Sequence, residues 1–524
     1  MPSTPTTKSQ VQAYRFVLRR MESALARKDP VMLHEPMRTH QRSLAAGAVL
    51  AICAVLGFLV VGLISPTGKV PGAGGIVIGR DSGAIYVVAG DPPHLIPVPN
   101  IASAKLLLMS QGMTPAEPTA VAESALQSLP KGPLTGIPGA PEMLPTGEDQ
   151  KASPYWGVCD RLSFDPGLPR EDAERQAMVE TAVLVGVEDL GQALPKERAL
   201  LVESVDKETY LVYRNDQRSE RPVVRARIDL ENSAVTAALG LDSIVPRRIS
   251  TGLLNAIPEG DPLDPPRIAN RDEAPDFEVP TSRVRVGRVL RVERAEGYEF
   301  YVVLRSGKQL IPTAVAELIR YDVEGTGNTD FVDLRPNEVS ELPDAKPEDR
   351  IELEDYPSAV PKLVGVRDNP VTCLSWNTKD NRIFTNVTFG DRLPLPEGMQ
   401  PVKLAGYQTE NMENLDLFFM PPGRGAVVQG VTTQVDLMAG PLYLVSDRGV
   451  KYGIPDSQVA KGLGLGEHYQ AAPQNILNLL PNGSPLDPKL ATKIYDTLPV
   501  DPDAPKAELP ETPDEGQSGS DSDN

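Results

Sequence analysis

From Leu44 to Ile64 the chain runs for 21 residues without a charge, in "LAAGAVLAICAVLGFLVVGLI". At 1.5 Å rise per residue, a helix of that length covers roughly 30 Å, the hydrocarbon thickness of a bilayer. A surface helix of a globular protein keeps one polar face, and this run has none. A cleaved signal peptide would carry a shorter apolar region, a shorter leader and a small-x-small cleavage site. Here a long leader precedes the run and "SPTGKV" follows it. The residues predict a retained transmembrane helix over Ser43–Ile64.

The flanks predict its orientation. Arg15, Arg19, Arg20, Arg27, Lys28, Arg38 and Arg42 precede the span, whereas Lys69 and Arg80 are nearly all that follows closely. The positive-inside rule puts 1–42 in the cytoplasm and everything after Ile64 outside. The leader segment "KSQVQAYRFVLRRMESALARK" reads as an amphipathic helix. Val11, Tyr14, Val17, Leu18, Met21 and Leu25 recur at steps of three and four, opposite a basic face. Such a helix suits either the inner membrane surface or a cytoplasmic partner. Pro30 ends it.

The whole chain has 524 residues and a formal net charge of -19, which argues against a nucleic-acid partner. Its length allows several domains. Of three cysteines, Cys53 falls in the span, leaving Cys159 and Cys373 outside. In an oxidising compartment two lone thiols most simply form a disulfide, two separate buried thiols being the alternative. Trp156 and Trp376 each stand three residues from one of these cysteines, which points to one buried junction.

Beyond the span the chain repeats itself. "LLNAIPEGDPLDP" (253–265) and "ILNLLPNGSPLDP" (476–488) are identical at eight of thirteen positions. Upstream of such closures lie β-rich runs centred on Tyr86, Tyr210, Tyr301 and Tyr443, each followed by a turn. Three of the four reach an Ile-Pro pair, Ile96-Pro97, Ile311-Pro312 and Ile454-Pro455, and the second has "VVRARID" instead. A helix-like segment follows each. "LQSLPKGPL" is a shortened closure for the first copy, and the copy at Tyr301 has no recognisable closure. Divergent copies of this size read as repeated α/β modules.

The fold class expected is α+β, with one N-terminal transmembrane helix and an extracytoplasmic region of repeated α/β units around a central β-rich domain. The chain divides into a cytoplasmic segment (1–42), the span (43–64) and module 1 (65–135). A linker opening the central region with Cys159 follows (136–195), then module 2 (196–270) and a truncated module 3 (271–338). A central β-rich domain with Cys373 (339–430), module 4 (431–496) and an acidic tail (497–524) complete it. The tail's composition predicts disorder.

The ordered set "QAYRFVLRRMESAL", "DPVMLHEPMRTHQRSLAAGAVL", "DSGAIYVV" and "PVPNIASAKLLL" resembles the EccB family. These are membrane-anchored core components of actinobacterial type VII (ESX) secretion systems. The likeness spans nearly the whole chain; the long acidic tail and the missing Ile-Pro pair of copy two depart from it. The resemblance implies a scaffold subunit of an inner-membrane complex, alongside the motor ATPase EccC and the subunits EccD and EccE. It implies self-association and contact with the mycosin protease through the extracytoplasmic part. It also implies contact of the cytoplasmic helix, around Tyr14, Arg15, Phe16, Arg19 and Arg20, with EccC or EccD.

Chemistry is thin. ATP hydrolysis is ascribed to the family, and a P-loop needs G-x-x-x-x-G-K-[ST]. In "GLISPTGKV" Gly62 and Gly68 stand one residue too far apart, and Val70 replaces the hydroxyl residue. In "RSGKQL" Val302 replaces the first Gly and Gln309 the hydroxyl residue. Neither His94 nor His468 sits in a hydrolase or metal motif, and two exported cysteines cannot build a four-ligand zinc site. No cofactor or metal is expected. In the closures Asp261 is matched by Ser484, so the phrase reads as helix stop and turn through Pro258, Gly260, Pro481 and Gly483. The recurring tyrosines read as strand residues packing on their own modules. The alternatives to a scaffold are an ATPase component and a peptidoglycan-binding envelope module.

Overall fold

A computed structural model describes residues 7–29, 36–64, 70–215, 222–322, 330–404, 415–432, 437 and 439–498. The expected acidic tail lies outside the described residues from 499 onward. The chain divides into an N-terminal unit, 1–69, and a larger unit, 70–524.

The N-terminal unit holds two helices. The first, α1 (Lys8–Arg27), starts at a capping box in which the Thr7 amide donates to Gln10 Oε1 at 2.9 Å. It ends at Lys28 in the left-handed conformation. The second, α2 (Pro36–Ile64), contains the predicted span, and among the described residues it is the one helix long and apolar enough to cross a bilayer.

The larger unit repeats one topology four times. Each module has three antiparallel strands, a helix, a short strand returning parallel to the first, and a closing helix. Module 1 runs through strands Ile76–Gly79, Ile85–Ala89 and His94–Val98, helix α3 (Ile101–Ser110), strand Thr119–Val121 and helix α4 (Glu123–Leu126). After a short helix α5 (Arg170–Arg175) in the central region comes module 2. It has strands Arg198–Glu203, Thr209–Arg214 and Val223–Ile228, α6 (Ser233–Leu239), Arg247–Arg248 and α7 (Thr251–Ala256). Module 3 uses Val289–Arg294, Gly297–Val303 and Lys308–Ile311, α8 (Thr313–Tyr321), Val332–Leu334 and α9 (Pro336–Ser340). Module 4 uses Gly425–Val431, Leu442–Ser446 and Lys451–Ile454, α10 (Ser457–Leu463), Gln470–Pro473 and α11 (Gln474–Leu477).

Two of these elements escape a reading by periodicity. The strand before each tyrosine-bearing strand and the return strand run from two to seven residues, too short to show a period. The third module is complete rather than truncated: after α9, "LPDA" (Leu342–Ala345) occupies the place of the other closures. The stretch 339–345 therefore closes module 3, Lys362–Leu363 adds a parallel strand to the sheet of module 2, and Gly425–Val431 opens module 4, so with the central sheet the segment 339–430 is shared among four parts.

One backbone device explains the closing phrase. In module 1 the Leu95 amide donates to Pro130 O and the Gly132 amide donates back to Leu95 O, each at 2.8 Å. The same pair joins Arg225 to Pro258 and Gly260, Lys308 to Pro343 and Ala345, and Lys451 to Pro481 and Gly483. Proline has no N–H to offer here, but only its carbonyl is needed. The phrase thus clamps the start of the edge strand and satisfies backbone groups that an open edge would leave bare.

Modules associate in pairs through their longer helices. In the 1–4 pair, α3 packs on α10 in a core that also takes Leu486 of the "PLDP" phrase. The buried Lys105 of α3 donates to Leu463 O at 3.1 Å, at the negative C-terminal end of α10. In the 2–3 pair, α6 packs on α8, and Leu263 of the other "PLDP" phrase joins that core.

Between the pairs lies a seven-stranded mixed sheet. Its strand order is Val402–Lys403, Leu417–Phe419, Met178–Val185, Trp156–Ser163, Val371–Lys379, Arg382–Gly390 and Gln192–Ala193. Cys159 and Cys373 are register partners on its two central strands, with their sulfurs 2.08 Å apart. Trp156 and Trp376 are register partners too, but three residues from a cysteine is an odd step along a strand. The tryptophans consequently line the face toward the modules, and the cysteines line the opposite face with Leu184, Leu417 and Phe419.

The clamp makes unequal demands on its glycines. A Cβ on Gly260 would meet its nearest neighbour at an ordinary 3.6 Å, whereas one on Gly483 would lie 2.3 Å from the Tyr452 ring. Gly260→Ala is expected to leave the thermal midpoint nearly unchanged, and Gly483→Ala to cost about 1–3 kcal/mol by overpacking; calorimetry on the two variants checks the difference. Peptide mapping without reductant should recover a Cys159–Cys373 linked pair. Replacing both cysteines by Ala should cost about 2–5 kcal/mol in denaturant titration.

Candidate functional site at the junction of the closing helices

The two near-identical phrases meet each other. Helices α7 and α11 pack side by side on the tryptophan face of the central sheet. Asn475 Nδ2 donates to Asn255 O at 3.4 Å, and Gly252 lies so close to Leu479 that a Cβ there would sit 2.9 Å from it. The residue five before the closing proline is Leu253 in module 2 and Ile476 in module 4, both fully buried in the core that holds Trp156 and Trp376. At that column module 1 has Ala125 and module 3 has Glu338. The clamp is common to all four modules, and these apolar additions mark the two whose closing helices reach the central sheet.

A buried polar network fixes the module 2 side. Asp160 comes from the central strand Trp156–Ser163 and is almost fully buried. Its carboxylate accepts from the Ser250 amide at 2.7 Å, the Ser250 hydroxyl at 2.8 Å and the Thr181 hydroxyl at 3.1 Å. Ser250 in turn caps α7, its Oγ accepting from the Leu253 amide at 3.0 Å. Arg247, also buried, donates to Asn369 O and Pro370 O at 3.2 and 3.3 Å. Burial pushes its guanidinium down to about 10, with the charge of Asp160 acting in the other direction. Asp160 was legible only as one acid in "WGVCDRLSF"; its partners Ser250 and Thr181 come from module 2 and the neighbouring strand and gave no local sign.

A cleft of about 340 Å³ opens beside this seam, lined by Asn255, Pro258, Trp376, Thr385, Val431 and Asn475 among others. None of its lining residues is charged. Among the described residues no group of three or more His, Cys, Asp or Glu is arranged to hold a metal. His94 is exposed, with Nδ1 2.7 Å from Pro92 O, and His468 is exposed on another module.

The remaining sequence-predicted residues are spread over the modules. Tyr86, Tyr210 and Tyr443 are half-buried on their second strands, each beneath a cation, Lys131, Arg225 and Lys451 respectively. The Tyr301 hydroxyl donates to Glu299 Oε2 at 2.9 Å. Tyr14, Arg15, Phe16, Arg19 and Arg20 are exposed on α1. Lys308, the lysine of "RSGKQL", begins an edge strand rather than a helix, and its Nζ donates to Leu342 O at 2.6 Å and Asp344 Oδ1 at 2.9 Å. The ion pair holds the Asp344 carboxyl below its ordinary range. "SPTGK" of the other P-loop-like stretch lies outside the described residues.

Asp160→Ala should leave Arg247 buried without its counter-charge and α7 without the anchor of its cap. The expected cost is about 3–5 kcal/mol in denaturant titration, while Glu338→Ala in module 3, which removes only the capping hydrogen bond from the Arg335 amide, should cost about 0.3–1.5 kcal/mol.

The family profile described as type VII secretion system ESX-1, transport TM domain B, matches residues 3–500. The chain is 32% identical over 522 residues to the ESX-3 secretion system ATPase EccB3 of Mycolicibacterium smegmatis, covering 96% of this chain and 93% of that protein. It superposes on a chain of an intact ESX-5 inner membrane complex with a TM-score of 0.67 at 29% identity, covering 97% of this chain and 99% of the other. It also superposes on a chain of an EccB3 dimer from the ESX-3 core complex, with a TM-score of 0.64 at 31% identity, covering 80% and 100%. The chain belongs to the EccB family of type VII (ESX) secretion systems.

Proposed function

We propose that this chain is a structural subunit of an inner-membrane ESX secretion complex, anchored by α2 and assembled through its larger unit. The observation that carries the reading is its end-to-end likeness to a chain of the ESX-5 inner membrane complex. The organisation of the larger unit supports it: buried Lys105 joins module 1 to module 4, and buried Asp160 joins module 2 to the central sheet. Kinship to an EccB3 dimer favours a second copy of the chain as one partner.

The positive-inside rule favours a cytoplasmic 1–42 and an extracytoplasmic 65–524. On that orientation the Phe16, Arg19 and Arg20 side of α1 faces EccC or EccD. The larger unit faces EccE, the mycosin protease and its own second copy. A cytoplasmic α1 and an oxidising exterior also suit the cysteine distribution, with Cys159 and Cys373 in the larger unit.

The name of the M. smegmatis relative raises nucleotide hydrolysis as a second reading. A phosphate-binding lysine follows a glycine-rich loop into a helix, where backbone amides and the helix N-terminus receive the phosphates. Lys308 follows a turn into an edge strand and is engaged by Asp344, so it is not available for that role.

Mild-detergent extracts of native membranes should carry this chain in an assembly far larger than a monomer, with EccC, EccD and EccE identified by mass spectrometry. A monomeric sedimentation profile under conditions that hold those three together would overturn the scaffold reading. Retention of the chain on purified cell wall, with no such assembly, would favour the envelope-binding module.

A further inference from the structure

We propose that Asn482 is a modification site gated by the clamp of module 4: it deamidates when the clamp opens, and the isoaspartate formed there keeps the clamp from closing again. Asn482-Gly483 is the one Asn-Gly pair in the chain. The residues on either side of Asn482 make both clamp bonds. Lys451 N donates to Pro481 O at 2.9 Å, and Gly483 N donates to Lys451 O at 2.8 Å. The Asn482 side is exposed. Packing holds the glycine in place, because a Cβ at that position would lie 2.3 Å from the Tyr452 ring. Only module 4 puts asparagine at the middle of the clamp; the others have Lys131, Glu259 and Asp344. The last two are carboxylates that pair with the clamped residue itself, Glu259 with Arg225 at 3.0 Å and Asp344 with Lys308 at 2.9 Å.

The reaction needs only water. The Gly483 amide nitrogen, giving up its proton to water, attacks Cγ of Asn482. A C–N bond forms, the Cγ–Nδ2 bond breaks, and ammonia leaves. Water then opens the five-membered succinimide. Attack at Cγ restores the ordinary main chain with an aspartate. Attack at the main-chain carbonyl carbon leaves Gly483 bonded to Cγ, which is isoaspartate. In the closed clamp the attacking nitrogen is committed to Lys451 O, and Asn482 is held as a β-bridge partner of Lys451. The nitrogen then keeps its proton and cannot approach Cγ, so the reaction waits for local opening. Once the clamp is open, glycine offers no Cβ to crowd the attack. The two products differ in consequence. Aspartate preserves the spacing between the Pro481 carbonyl and the Gly483 amide, and puts a carboxylate beside Lys451 as Asp344 stands beside Lys308. Isoaspartate inserts a methylene into that spacing, so the two bonds to Lys451 no longer form together. The inference rests on the clamp and is independent of the scaffold reading.

The test follows deamidation of the full chain in nanodiscs at neutral pH. Digestion and chromatography with mass spectrometry separate the Asn, Asp and isoaspartyl forms of the peptide. Asn482 in the folded chain should react about tenfold or more slowly than in the same chain unfolded in guanidinium. Its rate should climb at guanidinium concentrations below the global transition, and Leu486→Ala, which hollows the core shared with module 1, should raise it without denaturant. Equal rates in the folded and unfolded chain would show that the clamp does not protect Asn482. A rate that rises only with global unfolding would show that the clamp does not open by itself. Either result overturns the gate. Hydrogen exchange tests the latch. Isoaspartyl chains should lose slow exchange at the Lys451 and Gly483 amides, whereas Asn482→Asp, with the same charge and an ordinary main chain, should retain it. Isoaspartyl chains that exchange as slowly as Asn482→Asp would overturn the latch.

Discussion

Two backbone hydrogen bonds between a closing phrase, P-x-G in modules 1, 2 and 4 and Pro343-Asp344-Ala345 in module 3, and one residue near the start of the edge strand pin the end of each module of this chain. The closing helix would otherwise be a loose appendage to the sheet. A two-stranded hairpin is at best marginally stable alone, and three or more strands with an apolar face are needed for independent stability. The clamp fixes the closing helix across the second face, so each sheet is covered on both sides. Everything larger is built from that covered face. In modules 2 and 4 it carries Leu253 and Ile476 and docks on the central sheet; in modules 1 and 3 it carries Ala125 and Glu338 and faces outward.

The repeated phrase was legible in the sequence because one backbone geometry must accommodate it twice in the same setting. Its first and last thirds answer different neighbours: the leading apolar residues meet the tryptophan face, and the trailing leucines, Leu263 and Leu486, enter the cores shared with modules 3 and 1. The closure of module 3 was illegible because it keeps the clamp and loses the letters. Ala345 serves where glycine stands elsewhere, since the site has room for a methyl group and a negative φ. A search for P-x-G finds the residue type, whereas the physical requirement is one carbonyl and one amide spaced two residues apart.

Parity separated the two cysteines from the two tryptophans. Proximity in sequence points to one shared junction, but an odd step along a strand puts the pairs on opposite faces of the sheet. The membrane span needed no such context, because its signal is composition over a fixed length. The module 2 seam was beyond the sequence altogether, since Asp160, Arg247 and Ser250 become neighbours only once a module inserted between two central strands folds back on them. Residues 194–370 leave the central sheet from its edge strand Gln192–Ala193 and re-enter it two residues before Cys373. The Cys159–Cys373 crosslink closes a loop that contains the excursion, and the Asp160 network ties the module 2 part of it to the sheet.

The distribution of buried polar groups bears on what such an architecture is for. An active site concentrates them in one cleft, where their shifted protonation states face a substrate. Here Lys105 caps a helix of a partner module, Asp160 and Arg247 lie at the seam between module 2 and the central sheet, and Lys451 rests on Tyr443 within its own module. The one cleft beside the seam has no charged lining. Breaking the contacts of Lys105, or of Asp160 and Arg247, would leave a charge without its partner in a dry place, so movement of those modules against each other or against the central sheet carries an electrostatic penalty. Within the larger unit these contacts fix the angles between the modules and the central sheet.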